Sequence, residues 1–136
     1  AAQKFLGAEN ISIIGASIGG NIALNYAAST SGVGAVALLS PGEDYRGIQT
    51  EQAAREIKAP LFIAASEEDS YAASSSERLY QLAKSGKELK IYKNAGHGVE
   101  MLRGTDLQSA LLEWLGENFP AVIEENITNA TLPASR

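Results

Sequence analysis

The sequence predicts an α/β fold, a parallel sheet of about four strands with flanking helices. Three observations predict it. Short apolar runs alternate with longer stretches of helical spacing along the chain. One run, residues 33–39, is apolar nearly throughout, as strands covered on both faces are. A third feature is Gly15-Ala16-Ser17-Ile18-Gly19, which joins the apolar run 11–14 directly to a small-residue helical pattern. That is the strand, tight turn and helix needed to hold a serine out above a strand tip.

The bulk properties narrow the function. A chain of 136 residues suggests one domain and is long enough to bury a core. Its formal net charge is −5 and it has no basic cluster, which argues against nucleic acid and anionic membrane surfaces as partners. No segment has the apolar length of a membrane span. Cysteine is absent, so disulfides, thiolate metal sites and a Cys nucleophile are excluded. A soluble protein of a reducing compartment, the cytoplasm, is expected, with secretion left open. His97 is the single histidine, which rules out a poly-histidine metal site. No metal and no cofactor are expected.

Taken in order, residues 1–6 read as a short helix, entered in mid-course because the chain opens Ala1-Ala2-Gln3 without Met. Residues 11–14 form the first strand. Gly15, Ala16, Gly19 and Gly20 are small enough for strand end and helix start to touch. The helix runs from 19 to about 29, with Ile18, Ile22 and Tyr26 at helical spacing and Ala23 and Ala27 beside them. Residues 33–39 are the second strand, stopped by Ser40-Pro41-Gly42. Residues 43–50 read as a loop, whose Asp44-Tyr45-Arg46 lies just past a strand tip. A short helix, 51–57, leads to the third strand at 61–65 and an acidic loop, Ser66-Glu67-Glu68-Asp69-Ser70-Tyr71. A helix over 74–84 presents Leu79, Tyr80, Leu82 and Ala83 inward. Residues 88–93 alternate apolar residues with lysines, as an edge strand does. Asn94-Ala95-Gly96-His97-Gly98 follows as a loop. The last helix, 105–119, buries Leu107, Leu111, Leu112, Trp114 and Leu115, with Thr105 or Asp106 as cap. Pro120 ends it. Residues 1–119 are one domain, and 120–136 a tail or arm.

Ligands of such sheets bind beyond the carboxyl ends of the strands. Ser17, Asp69 and His97 each follow a different strand end, so they converge on one rim. A serine hydroxyl needs a neighbouring base, and imidazole titrates near neutrality. The imidazole needs an acceptor on its other nitrogen. Ser17, His97 and Asp69 supply these roles, although Glu67 or Glu68 is also placed to be the acid. The N–H of Ile18, at the start of the helix, is the natural first oxyanion donor. Taken singly, each feature is also met in ordinary proteins, as a Gly-rich turn, a solvated acidic loop or a loop histidine.

As a set, the elbow Gly15-Ala16-Ser17-Ile18-Gly19-Gly20-Asn21, the loop Ser66-Glu67-Glu68-Asp69 and the loop Ala95-Gly96-His97-Gly98 resemble the carboxyl-terminal half of an α/β-hydrolase. The chain is most similar in flavour to bacterial esterases related to dienelactone hydrolases, which carry Cys where this chain has Ser17. The resemblance implies Ser17 as nucleophile, Asp69 as acid and His97 as base, acting on esters through an acyl-enzyme. It also implies a truncated fold, the last four of eight strands. The absent half includes the loop that gives the second oxyanion N–H.

The expected function is therefore a serine hydrolase cleaving short-chain carboxyl esters. The competing expectations are a weak or inactive fragment serving as an assembly module, and a peptidase or thioesterase with the same residues. The first strand carries Ile11, Ile13 and Ile14 with no charge or proline, yet stands at a sheet edge in the family's strand order. An unguarded apolar edge favours association, so a homodimer or higher homo-oligomer is the expected partner state, beside a small ester as substrate.

Overall fold

The computed structural model describes residues 11–118. In chain order its elements are β1 (Ile11–Ala16), α1 (Ile18–Ser29), β2 (Val33–Leu39), the two-residue strands β3 (Asp44–Tyr45) and β4 (Ile48–Gln49), α2 (Glu51–Glu56), β5 (Leu61–Ser66), α3 (Ser70–Leu82), β6 (Lys87–Tyr92), a 3-10 turn (Gly98–Leu102) and α4 (Leu107–Asn118). The main sheet has the order β1-β2-β5-β6 with every neighbouring pair parallel. β3 and β4 pair antiparallel as a separate small hairpin. The helix expected over residues 1–6 and the tail from 120 lie outside the described residues.

The pleat of β2 and β5 divides the core in two. Successive side chains of a strand point to opposite faces. Val36, Leu38, Leu61 and Ile63 therefore meet Ala23, Leu24, Ala54 and Leu79 of α1, α2 and α3 on one face. Ala35, Ala37, Leu39, Phe62 and Ala64 meet Met101, Leu107, Leu111 and Trp114 on the other. Phe62 and Trp114 pack with ring centroids 5.5 Å apart. Both faces of the central strands are covered, which is why residues 33–39 are apolar without alternation.

Several expectations need correction. α3 starts at Ser70, not at 74. The chain turns at once after β5, with the Asp69 N–H donating to the Ser66 carbonyl at 3.0 Å and the Ala73 N–H to the Asp69 carbonyl at 2.9 Å. The serines at 74–76 obscure this start because serine competes with helix formation when read alone. The buried face of α3 is Ala72, Ser75, Ser76 and Leu79, continued by Ala83 beyond its end, while Tyr80 and Leu82 are half-buried. Residues 43–50 are not a plain loop but contain the β3–β4 hairpin, and residues 98–102 wind into a 3-10 turn. α4 begins at Leu107, whose N–H is taken by Thr105 Oγ1 at 3.1 Å. Leu112 is 63% exposed, so it leaves the expected buried set, and Leu115 is half-buried.

In α1, Ile18, Ile22 and Tyr26 are exposed and Ala23, Leu24 and Ala27 are buried. The reason is distance: the elbow brings the helix so near the sheet that mostly small residues fit between them. Ile14 of β1 is exposed, as are Ile22, Val99 and Leu112. An apolar groove lined by Ile14, Ala16, Leu39, Val99, Leu112 and Leu115 runs beside this edge strand. At the opposite edge, Lys90 of β6 pairs with Asp106 at 3.6 Å. Lys87 donates to the carbonyls of Tyr80 and Ala83 at the end of α3, at 2.7 and 2.9 Å. Among the described residues no helix is long and apolar enough to cross a membrane.

Gly15 is the tightest point. A Cβ there would lie 2.4 Å from the Gly19 carbonyl oxygen and 2.8 Å from the Gly20 Cα, both backbone atoms that cannot swing away. A Cβ on Gly19 would meet nothing within 4 Å. Gly15→Ala should therefore lower the thermal midpoint, by the equivalent of about 1–3 kcal/mol or more. Gly19→Ala should leave it unchanged or raise it slightly, since alanine favours a helix interior. Thermal unfolding of both variants checks this, and an equal effect of the two would refute it.

Candidate active site

Ser17 stands between β1 and α1 with φ 55° and ψ −130°. A non-glycine residue there is strained by about 1–3 kcal/mol. Two backbone bonds hold it: the Ser17 N–H donates to the Leu39 carbonyl at 2.8 Å, and the Gly20 N–H donates to the Ser17 carbonyl at 2.9 Å. The first ties the elbow to the end of β2. Ile18 is the first residue of α1, where an N–H has no acceptor within the helix. Asn21, fully buried, steadies the neighbouring loop. Its amide donates to the Ile48 carbonyl at 2.8 Å and accepts the Gly42 N–H at 3.0 Å.

The structure brings Ser17, His97 and Asp69 together. His97 Nε2 lies 2.9 Å from Ser17 Oγ. Its Nδ1 is hydrogen-bonded to Asp69 Oδ2. An ionised carboxylate only accepts, which assigns the ring proton to Nδ1 and leaves Nε2 to accept the serine O–H. Asp69 precedes α3, and its side chain makes no cap bond to that helix. Its carboxylate is directed at the imidazole instead. Of the three acidic residues after β5, Glu67 lies beside Lys93 at 4.0 Å and Glu68 turns to the backbone of the histidine loop. Asp69 alone of these three meets the ring.

The loop that carries His97 has no secondary structure over 94–97, yet its amide donors are all occupied. The N–H of Asn94 donates to Glu68 Oε2 at 2.8 Å and that of Gly96 to Glu68 Oε1 at 2.8 Å. Between them the Ala95 N–H donates to Ser66 Oγ at 2.9 Å. The His97 N–H donates to Glu100 Oε2 at 2.9 Å, and the Gly98 N–H to Ser40 Oγ at 2.8 Å. Ser66 Oγ in turn donates to Glu68 Oε2 at 2.6 Å. Ser40 is buried at φ 53°, a strained position at the tip of β2. Gly96 has φ +85°, which favours glycine.

Glu68 is exposed, but these bonds favour its charged form. They hold its carboxyl at about 2, below the ordinary 4.5, with the Ser66 hydroxyl the largest cause and the Gly96 N–H next. Tyr45 lies on the other side of the acid. Its phenol is raised above the ordinary value, first by burial and then by the negative charge of Asp69. Tyr45 packs edge-on to Tyr71 with centroids 5.6 Å apart, and its hydroxyl donates to the Ser40 carbonyl at 3.3 Å. The Asp44-Tyr45-Arg46 segment thus borders the site. Sequence reasoning missed Ser40, Ser66 and Glu100, and gave Glu68 a different role. Only Glu100 left a local signal, an acid three residues past a helix cap. The others act over 26 or more residues of separation.

A model of the dienelactone hydrolase family matches residues 2–113. No curated protein sequence matches the chain. Among solved structures, the chain is similar to a dienelactone hydrolase from Anabaena variabilis, at 24% identity and TM-score 0.64, covering 82% of this chain and 49% of that one. It is similar to an acylaminoacyl peptidase from Pyrococcus horikoshii at 18% identity and TM-score 0.73, covering 88% of this chain and 26% of that one. Est816, described as an N-acyl homoserine lactone degrading enzyme, aligns at 16% identity and TM-score 0.71, over 83% of this chain and 70% of its own. The chain therefore spans about half the length of the Anabaena enzyme, and the shared fold is that of α/β-hydrolases.

The lowered acidity of Glu68 makes a signed prediction. A carboxyl whose folded value is depressed contributes stability above its unfolded value and loses it as pH falls through the folded one. Glu68→Gln should thus be less stable than the parent at neutral pH. The difference should shrink as pH falls from 4.5 to about 2. Glu51 and Asp106 are lowered too, so the difference between the two proteins is the quantity to measure. A difference constant through that window, by thermal unfolding, would contradict the role of the charge.

Proposed function

This chain belongs to the dienelactone hydrolase family, and on that premise we propose that it is the catalytic part of a serine hydrolase cleaving short-chain carboxyl esters. The observation that carries the proposal is the hydrogen-bonded chain from Ser17 through His97 to Asp69. In the proposed mechanism His97 Nε2 takes the Ser17 proton as Oγ attacks the ester carbonyl. The alkoxide leaves with that proton, and an acyl-enzyme remains on Ser17. Water, deprotonated by His97 in the same way, then releases the acid. Asp69 orients the ring and stabilises the imidazolium. The Ile18 N–H, at the positive end of α1, stabilises the oxyanion. A small ester fits a rim with few side walls among the described residues.

The main alternative is a catalytically weak or inactive module, and the chain's coverage of half of the Anabaena relative favours keeping it in view. Hydrolysis of a p-nitrophenyl ester series separates the two. Turnover should be highest on acetate and butyrate esters, and Ser17→Ala and His97→Ala should each lower it about 10³-fold or more with the fold retained. No turnover by the parent, or full turnover by Ser17→Ala, refutes the proposal. A thioester and an amide in the same series test thioesterase and peptidase activity.

Association with a second copy through β1, the edge strand among the described residues, belongs to the same proposal. Light scattering at micromolar concentration should give a dimer that charged residues at Ile11 and Ile13 dissociate. A stable and active monomer would contradict it.

A further inference from the structure

Two consecutive carboxylates leave the tip of β5 and reach the same loop at different points. Asp69 meets the imidazole of His97. Glu68 meets the backbone that carries it, accepting the N–H groups of Asn94 and Gly96 on separate oxygens at 2.8 Å each. The Ser66 hydroxyl, buried at the strand end, closes the set by donating to Glu68 at 2.6 Å and accepting the Ala95 N–H at 2.9 Å. The ring and its backbone are therefore referenced to the same two turns of chain. We propose that Glu68 is the positioning residue of the site: its bidentate hold on the 94–96 backbone sets the distance from His97 Nε2 to Ser17 Oγ.

The physical argument is one of leverage. His97 lies beyond the end of β6, with no ladder partner of its own, and its side chain is 43% exposed. No strand pairing fixes its Cα, although Ala95 of the same loop packs on the core around Phe62 and Trp114. The side chains that accept its loop's donors fix it, and Glu68 supplies two of those acceptors from one charged group. Ionic hydrogen bonds of this kind are shorter and stronger than neutral ones. Asp69 orients the ring only if the loop first places the ring within reach. Removing Glu68 leaves Asn94 and Gly96 donors to water, and the loop gains freedom at its centre. Misplacement of a catalytic base by an ångström costs on the order of 10²-fold in rate. The groups that Glu68 meets are the Ser66 hydroxyl and the N–H groups of Asn94 and Gly96, and the titratable or charged residues next along the two loops are Glu67, Asp69, Lys93 and His97. The Glu67 carboxylate pairs with Lys93 at 4.0 Å, away from the 94–96 backbone, and so provides a matched charge control.

The inference rests on the serine hydrolase proposal for its kinetic arm and on geometry alone for its spectroscopic arm. His97 is the single histidine, so the Nδ1 proton bonded to Asp69 gives one unambiguous downfield resonance in proton spectra. Glu68→Ala should lower kcat on p-nitrophenyl acetate about 10–100-fold with KM changed less than about twofold. It should also broaden or abolish the downfield resonance. Glu68→Gln, which keeps one acceptor, should fall between Glu68→Ala and the parent. Glu67→Ala should stay within about twofold of the parent in both readouts. All are measured well below the thermal midpoint of each variant, and Glu68→Gln carries the test if Glu68→Ala does not fold. A resonance and kcat unchanged in Glu68→Ala overturn the proposal, as does an equal loss in Glu67→Ala. If the parent turns over no ester, the hydrolase proposal fails and the resonance decides alone: its loss in Glu68→Ala supports the positioning role, and its persistence overturns it.

Discussion

The run of backbone donors from Asn94 to Gly98 is the constraint on which the arrangement around His97 depends. Five consecutive N–H groups find side-chain acceptors, on Glu68, Ser66, Glu68 again, Glu100 and Ser40. A loop after an edge strand would ordinarily leave such donors to solvent. Here the acceptors come from the tips of β2 and β5 and from the following 3-10 turn. The rim of the sheet is thereby tied together at the level of side chains, above the last ladder bond. His97 is positioned by that tie and then oriented by Asp69.

The second constraint is spatial. Ser17 projects above the sheet because β1 and α1 approach closely enough that Gly15 admits no Cβ. The strain at Ser17 is sustained by its bond to Leu39 and by the small residues around it. The same approach selects the buried face of α1, which is Gly20, Asn21, Ala23, Leu24 and Ala27. The larger Ile18, Ile22 and Tyr26 are consequently turned outward. One tight turn thus decides the direction of Ser17 and the distribution of apolar surface near β1. That surface, with Ile14, Val99 and Leu112, lies along the edge where the parallel sheet stops among the described residues.

Much of this was legible in the sequence. The four strands of the sheet were identified at the right places, since apolar runs bounded by Gly, Pro and Ser are local signals. Val33–Leu39 was read to the residue because both its faces are covered. That Ser17, Asp69 and His97 come together was also legible, because each follows a strand and strand ends share a rim. What failed was the assignment of helix faces and starts. Leu112 lies beside a buried stripe narrower than the apolar pattern suggests, and α3 hides its first turn among serines. The choice among Glu67, Glu68 and Asp69 could not come from spacing, since all three follow β5. It is decided by which carboxylate faces the ring and which faces the loop, at separations of 26 to 28 residues. Ser40 is read from sequence as part of a strand stop and Ser66 as the start of an acidic loop, and nothing local marks them as acceptors for a distant loop.

We propose that Ser17 is an activated nucleophile, made so by His97. An unactivated serine does not react with a fluorophosphonate, so peptide mass spectrometry after labelling tests the claim directly. A single stoichiometric adduct is expected on the peptide containing Ser17, formed by the parent and lost in His97→Ala. Absence of an adduct from the folded parent, or an adduct on another serine, would contradict it.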